Sequence, residues 1–336
     1  MEENLPLLKI GITQGDTNGI GYEVIMKALA NSRILDLCVP IVYGVGKVAA
    51  FHKKTLGLND FTMQVVKSVQ QANSKKANLL NLSDEEVKVE LGVATPTSGR
   101  MAELALKAAC KDLKEKMIDA VVTAPINKSV MPEKSFNFSG HTEFLSDFFG
   151  AKDSLMMMVS ENLRLGFVTN HLPIEQVAQN INKELIIKKI KILNQSLKTD
   201  FLCTNPKIAV LALNPHAGDN GKIGKEESEI IKPAIEQVFS EKINAFGPFP
   251  ADGFFAAEQY RKFDAVLAMY HDQGMIPFKV LSMDGGVNFT AGLPIVRTSP
   301  AHGTAYDIAG QNIASCESFR NAIYLALDIL HNRLSE

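Results

Sequence analysis

Cysteine is scarce in this sequence: Cys38, Cys110, Cys203 and Cys316 stand far apart, and no CxxC pair exists. That pattern argues against a thiolate zinc site and against a disulfide framework. Neither sign of charge is in excess, since 35 basic and 37 acidic side chains leave a formal net charge of −2. Nothing in the balance points to a nucleic-acid or membrane partner, and a basic pocket would have to be local. No apolar run approaches the roughly 18–20 residues of a membrane span. The opening MEENLPLLK carries acid where a signal peptide needs base. A cytoplasmic protein with reduced thiols is expected. Internal repeats and low-complexity linkers are missing too, as are a P-loop and a G-x-S-x-G elbow.

What is present is a long chain of ordinary composition. Its 336 residues exceed the size at which one hydrophobic core keeps growing, so two domains are expected. An apolar fraction of 46% with 21% charged residues suits a soluble globular protein. Short β-rich apolar runs alternate with amphipathic stretches, which predicts an α/β fold with a largely parallel sheet. Strands are predicted at 8–13, 39–43, 120–123, 164–169, 207–213 and 265–270. Helices are predicted at 100–116, with Ser98-Gly99 as the start signal, at 183–198 and at 225–239. Without a linker, the domains should exchange the chain more than once.

Three of the predicted strands run straight into a histidine. "RLGFVTNHLPIEQV" delivers His171, "KIAVLALNPHAGDNG" delivers His216, and "AVLAMYHDQGMIPFK" delivers His271. In open α/β sheets, ligands bind beyond the carboxyl ends of the strands, so the three tips have a reason to converge. Three neutral imidazoles around one divalent cation leave a coordination position open for substrate. The plainer reading is that each histidine caps its strand and hydrogen-bonds locally, and spacing alone does not decide. Asp272, beside His271, and Asp252, in "GPFPADGFF", are candidates for proton transfer or for orienting a ligand histidine. Each also reads as a solvated or turn-capping carboxylate.

The glycine-rich loops are less telling. Gly15, Gly19 and Gly21 in "KIGITQGDTNGIGYEV" have the wrong spacing for a dinucleotide fingerprint. The G-x-G-x-x-A match from Gly44 to Ala49 lacks its acidic partner and is read as a decoy. "NFSGHTEFL" sets His141 and Thr142 at a helix start, where free N–H groups attract anions. The loop-like "FKVLSMDGGVNFTAGLPIVRTSPAHGTAYDIAG" carries Lys279, Asn288 and Arg297, a set suited to clamping phosphate or carboxylate. Taken singly, each of these is an ordinary surface residue.

Together the segments SGHTEFL, TNHLPI, NPHAGDNG, GPFPADGFF, LAMYHDQGMIPFK, VNFTAGLPIVRTSPAHGT and DIAG occur in a recognisable order. They resemble the 4-hydroxythreonine-4-phosphate dehydrogenase family of pyridoxal phosphate synthesis, from the first strand to about Gly310. The resemblance implies a two-domain α/β/α fold like that of isocitrate and isopropylmalate dehydrogenases, with the active site in the interdomain cleft. The first domain would comprise 1–128 and 281–336, and the second 129–280. A homodimer with an active site shared between subunits is implied as well. His171, His216 and His271 fall on the family's ligands for one divalent metal ion (zinc, magnesium or cobalt), His271 reaching in from the partner. His141, Thr142, Lys279, Asn288 and Arg297 fall on its substrate-binding positions. His302, Gly303, Thr304 and Asp307 look like the adenosine-binding loop of the related dehydrogenases. A carboxylate at Asp307 would accept ribose hydroxyls and repel a 2′-phosphate, which favours NAD over NADP.

The implied reaction is oxidation of 4-phosphohydroxy-L-threonine, a small phosphorylated hydroxy-amino acid, at C3, followed by decarboxylation to 3-amino-2-oxopropyl phosphate. Lys279, Asp252 and Asp272 are the candidate proton carriers. A sister dehydrogenase acting on D-threonate or D-erythronate 4-phosphate is the nearest alternative, and a phosphate acyltransferase a more distant one. One departure stands out. The family's early loop usually reads G-D-P-A-G-I-G-P-E, whereas this chain has Gly15-Asp16-Thr17-Asn18-Gly19-Ile20-Gly21-Tyr22-Glu23. Losing both prolines should loosen the turn.

Overall fold

The computed structural model describes residues 7–133, 136, 138 and 140–335. Its strands are β1 (Lys9–Thr13), β2 (Val39–Gly44), β3 (Gln64–Val66), β4 (Asn78–Asn81), β5 (Ala120–Thr123), β6 (Leu155–Val159), β7 (Arg164–Phe167), β8 (Lys207–Leu211), β9 (Asn244–Phe249), β10 (Ala265–Ala268), β11 (Val287–Ala291) and β12 (Val296–Pro300). Contacts divide the chain into two compact units, Met1–Gly150 with Pro294–Leu330 and Ala151–Leu293 with His331–Glu336. Neither unit is one continuous stretch. No helix among the described residues is long and apolar enough to cross a membrane.

In the first unit the strands run in the order β3-β4-β2-β1-β5-β12, and every pairing is parallel. Parallel strands are covered on both faces and so read as continuous apolar runs. "VPIVYG" of β2 and "AVVT" of β5 are buried at every position. The second unit orders its strands β11-β6-β7-β10-β8-β9. There β7, β10, β8 and β9 are parallel, while β6 pairs antiparallel with both β7 and β11.

The helix expected from 100 begins earlier, at Pro96. Thr95 is its N-cap: the Thr95 hydroxyl accepts from Ser98 N, and the Ser98 hydroxyl accepts from Thr95 N. Proline in the first turn costs nothing there, because its missing N–H would have had no helical partner. The stretch read as loop-like holds the end of the helix His271–Ser282 and both β11 and β12. These strands escape a hydrophobicity reading because they bury polar side chains, Thr290 and Thr298 being fully enclosed. β6, "LMMMV", was not anticipated either.

The expected cuts near 128 and 280 and the divisions at Gly150 and Leu293 differ for local reasons. Phe149 packs against the first unit's core, and Lys114 lies over the Phe148 ring, so the helix His141–Phe148 stays with that unit. β11 stays with the second because five of its residues pair with β6.

Leu267 lies in the middle of β10 with no exposed surface. Leu267→Ala should cost about 2–5 kcal/mol, read as a lower urea midpoint at an unchanged slope. A change under about 1 kcal/mol would contradict the packing described.

Candidate active site

The second unit brings three strand tips to one edge. β7, β10 and β8 are neighbours and parallel, so their carboxyl ends point the same way. The tips are also stitched together. Gln273 Oε1 accepts from Met269 N at 2.7 Å, and its Nε2 donates to Ala212 O at 2.6 Å. Thr169 donates to Met269 O twice, from N at 3.1 Å and from Oγ1 at 2.8 Å. Beyond these bonds lie Asn170-His171, Asn214-Pro215-His216 and Tyr270-His271.

The rings of His171 and His271 stand 6.0 Å apart. Phe167, on β7, stacks against His271 at 6.0 Å. Asp272 Oδ1 lies 2.6 Å from His271 Nδ1. A carboxylate accepts and does not donate, so Nδ1 carries a proton and Nε2 is the nitrogen that a metal could engage, the usual orientation of a metal-ligating imidazole. His216 sits in an unusual turn, residues 216–220 having φ of 52, 51, 79, 41 and 55°. Only Gly218 is at home there; the left-handed helical conformation costs other residues roughly 1–2 kcal/mol each. Among the described residues of one chain, no group of three His, Cys, Asp or Glu side chains is assembled to hold a metal. The donors nevertheless suit one: imidazoles at adjacent strand ends, one with its tautomer set by a carboxylate. Within the chain His171 and His271 are the pair brought together, and His216 joins them in no three-donor group among the described residues.

A cavity of about 750 Å³ opens at this edge, lined by His216, Asp252, Tyr270, Asp272, Ile276 and Val280 among others. Asp252, in the first turn of the helix Ala251–Ala256, thus shares a cavity with Asp272 and His216. Lys279 is exposed near the end of the helix His271–Ser282, about 12 Å along its axis from His271. Asn288 lies half-buried on β11.

The first unit carries a second constellation. The helix His141–Phe148 starts directly after Gly140. Nε2 of His141 is buried without a hydrogen-bond partner. Burial first, then the charges of Arg297 and Lys128, hold this imidazole well below its ordinary titration range, so it is neutral. Arg297, on β12, is 3% exposed, and its Nε and Nη2 donate to Thr123 Oγ1 at 3.2 and 2.7 Å. Burial brings its pKa down to about 10, with Glu143 pulling the other way. A sealed imidazole nitrogen beside a buried guanidinium and a helix N-terminus makes a receptor for an anion.

The loop with His302, Gly303, Thr304 and Asp307 rests on the early glycine loop. Asp16 is 1% exposed, and its Oδ2 accepts from Tyr306 Oη at 2.7 Å and from Ser98 Oγ at 2.9 Å. Burial, followed by this bond to Asp16, pushes the Tyr306 pKa up to about 12. Ile20 N donates to Thr304 O at 3.0 Å. His302 Nδ1 lies 3.0 Å from Gly303 O. Asp307 is exposed, and a Cβ on Gly303 would meet nothing, so the loop faces open space with a carboxylate beside it. Those features fit a ribose-bearing ligand.

The expected loosening of the early loop does not occur. Asn18 is fully buried; its Nδ2 donates to Val93 O and Thr95 Oγ1, and its Oδ1 accepts from Glu90 N. Tyr22 Oη donates to Gln14 Oε1 at 2.7 Å. Hydrogen bonds from these two side chains do what ring rigidity would have done. The G-x-G-x-x-A stretch also has its helix N-terminus occupied: Val45 N donates to Gln14 Oε1 and Gly46 N to Asn81 Oδ1. Sequence reasoning missed Gln273, Asn18 and Lys128. Only the polar "HDQG" behind an apolar run hinted at Gln273, and nothing marked the other two.

A sequence model of the family described as pyridoxal phosphate biosynthetic protein PdxA matches residues 36–326. The chain is 49% identical over 337 residues to a 4-hydroxythreonine-4-phosphate dehydrogenase of Bacteroides thetaiotaomicron, covering 100% of this chain and 92% of that one. It is 38% identical to a putative D-threonate 4-phosphate dehydrogenase of Cutibacterium acnes, covering 96% of this chain and 93% of that one. A crystal structure of 4-hydroxythreonine-4-phosphate dehydrogenase from Klebsiella pneumoniae superposes with a TM-score of 0.82 at 33% identity, covering 98% of this chain and 99% of the other. Isocitrate dehydrogenase from Methylococcus capsulatus, at 12% identity and a TM-score of 0.50 over 98% of this chain and 87% of its own, shares the fold.

At pH 6, a 15N spectrum of the imidazoles should show His141 in its neutral form. Lys128→Met removes a repelling charge and should move the His141 titration upward. An imidazolium at pH 6 in the unaltered protein would contradict the burial described.

Proposed function

The chain belongs to the family of the pyridoxal phosphate biosynthetic protein PdxA, and on that footing we propose that it is an NAD- and divalent-metal-dependent dehydrogenase of 4-phosphohydroxy-L-threonine. The observation that carries the reading is the set of three histidines on adjacent parallel strand tips. His171, His216 and His271 would hold the cation. When bound, the cation supplies Lewis-acid stabilisation of charge at the C3 oxygen, and NAD supplies the hydride acceptor.

The chain's own residues do the rest. His141 and Thr142 at a helix start, with the buried Arg297, bind an anionic end of the substrate; Lys279 and Asn288 bind the remainder. Arg297 has been stripped of water by the fold, so an anion reaching it faces little competing solvent. Oxidation sends the C3 hydride to the cofactor and the hydroxyl proton to a protein base. Asp272 is already committed to His271 Nδ1, which leaves Asp252 and Lys279 for that proton. The resulting 3-oxo acid loses CO2 from C2, and that carbon takes up a proton in its place to give 3-amino-2-oxopropyl phosphate. His302, Gly303, Thr304 and Asp307 hold the adenosine end, Asp307 selecting NAD by repelling a 2′-phosphate.

Although within one chain the His271 ring already stands 6.0 Å from that of His171, a homodimer would complete the site with a His271 supplied across the subunit boundary, as the family resemblance implies. Supporting this, Ile276 and Val280 project from the same helix at 65% and 73% exposure, an apolar face beside the cavity that a second copy would cover.

A sister activity on D-threonate 4-phosphate is the second reading, favoured by the name of the relative at 38% identity. Acyl transfer would need neither the histidine set nor the carboxylate of Asp307. Following NADH with 4-phosphohydroxy-L-threonine, D-threonate 4-phosphate and D-erythronate 4-phosphate separates the two dehydrogenases. Chelator-sensitive NADH with the amino acid alone, and kcat/KM for NAD at least about tenfold above that for NADP, is the expected result. His216→Ala should lower turnover by about 100-fold or more, on the scale of losing an electrostatic stabiliser. Turnover confined to the sugar acids would transfer the protein to the sister activity, and near-normal turnover in His216→Ala would overturn the metal assignment.

A further inference from the structure

We propose that Glu227 is a positioning residue for His216: its carboxylate clamps the left-handed turn that presents the imidazole and thereby sets how tightly the site takes a divalent cation. The proposal rests on the reading of His216 as a metal ligand.

The turn has positive φ at six consecutive residues, 216–221, and four of them, His216, Ala217, Asp219 and Asn220, carry side chains. Such a run does not persist on local preference; the surroundings must over-determine it. At its exit the turn is tied by Ile223 N to Gly218 O at 3.0 Å and by Lys222 N to Asp219 O at 3.2 Å. Its entry is held by one side chain. Glu227 Oε1 accepts from Leu213 N at 2.9 Å and from Asn214 N at 2.7 Å, and Oε2 accepts from Asn214 Nδ2 at 3.0 Å. Those donors fix the two residues through which β8 feeds the turn. Asn214 Nδ2 also donates to Glu226 Oε2 at 2.8 Å.

The same carboxylate backs the middle of the turn. A Cβ on Gly218 would lie 2.7 Å from Glu227 Oε2, so the glycine lets the backbone close over the carboxylate. Glu227 is 6% exposed. It opens a π-helical segment, Glu227–Ile231, whose wider winding sits directly before the helix Lys232–Ser240. Single π turns of this kind are frequent at functional sites. Leu213, Asn214 and His216 all line the cavity, so the carboxylate stands behind the wall from which the imidazole projects. Truncating or neutralising it frees the strained turn to relax and moves His216 without touching the ligand itself.

The test uses the full chain, cobalt(II) as the probe, and Glu227→Gln beside His216→Ala. Cobalt affinity is measured by calorimetry, coordination by the visible d–d spectrum, and folding by thermal unfolding of the metal-free protein. The glutamine keeps the volume and one acceptor oxygen for Leu213 N and Asn214 N, but removes the charge and sets an amide N–H against Asn214 Nδ2. Expected are a metal-free unfolding midpoint within a few degrees of the unaltered protein, a cobalt affinity about 10–100-fold weaker, and an altered d–d spectrum. His216→Ala should lose the spectrum altogether. Unchanged affinity and spectrum in Glu227→Gln, with the spectrum lost in His216→Ala, would overturn the positioning role while leaving the metal assignment standing. Cobalt binding that survives His216→Ala would overturn that assignment and this proposal together. If Glu227→Gln does not fold, Asn214→Ala decides: weaker binding supports the clamp, and unaltered binding and spectrum overturn it.

Discussion

Parallel pairing of β7, β10 and β8 is the constraint on which the second unit's chemistry depends. A parallel neighbour must run in the same direction, so three apolar strands that satisfy one another's hydrogen bonds finish at one edge. Were one reversed, its histidine would emerge at the far edge, about 13 Å away for a strand of four residues. The apolar runs that build the core therefore also decide where the polar groups appear. Gln273 and Thr169 then tie the tips sideways, which turns a shared edge into a fixed spacing.

The first unit solves a comparable problem with one buried carboxylate. Asp16 takes hydrogen bonds from Ser98 and Tyr306, and from the backbone of Asn18 at 2.8 Å. Three separate segments, the early glycine loop, the start of a long helix and the loop around Asp307, are referenced to a single point. Buried polar groups left unpaired cost about 1–3 kcal/mol each. A network in which every member is paired is thus specific: a shifted loop would leave Asp16 or Tyr306 without its partner. The buried Arg297 and the neutral His141 belong to the same unit but follow the opposite logic, since Nε2 of His141 is buried without a hydrogen-bond partner.

Much of this was legible in the sequence, and the failures have a common cause. Strands that end at His171, His216 and His271 could be read because apolar residues give way abruptly to polar ones. The family fold and the reaction class could be read from the ordered motifs. β11 and β12 could not, because they bury polar residues such as Thr290, Thr298 and Arg297, the last two bonding to the distant Ala322 and Thr123. Thr17 and Tyr22 looked like the loss of two prolines, yet Tyr22 and the neighbouring Asn18 restore by hydrogen bonding what the rings had supplied by rigidity. The left-handed turn at His216 was hidden as well: only Gly218 and Gly221 hint at it, and Glu227, which clamps it, follows eleven residues later on another element.

The central claim is that imidazoles delivered by parallel strand tips gather around one divalent cation. Anomalous scattering at the zinc edge from crystals grown with zinc tests it most directly. The account predicts one strong peak per active site, bonded to His171 and His216 at about 2.0–2.1 Å with a His271 from a neighbouring subunit as third ligand. A peak held by a single histidine, or located away from this edge of the sheet, would contradict it.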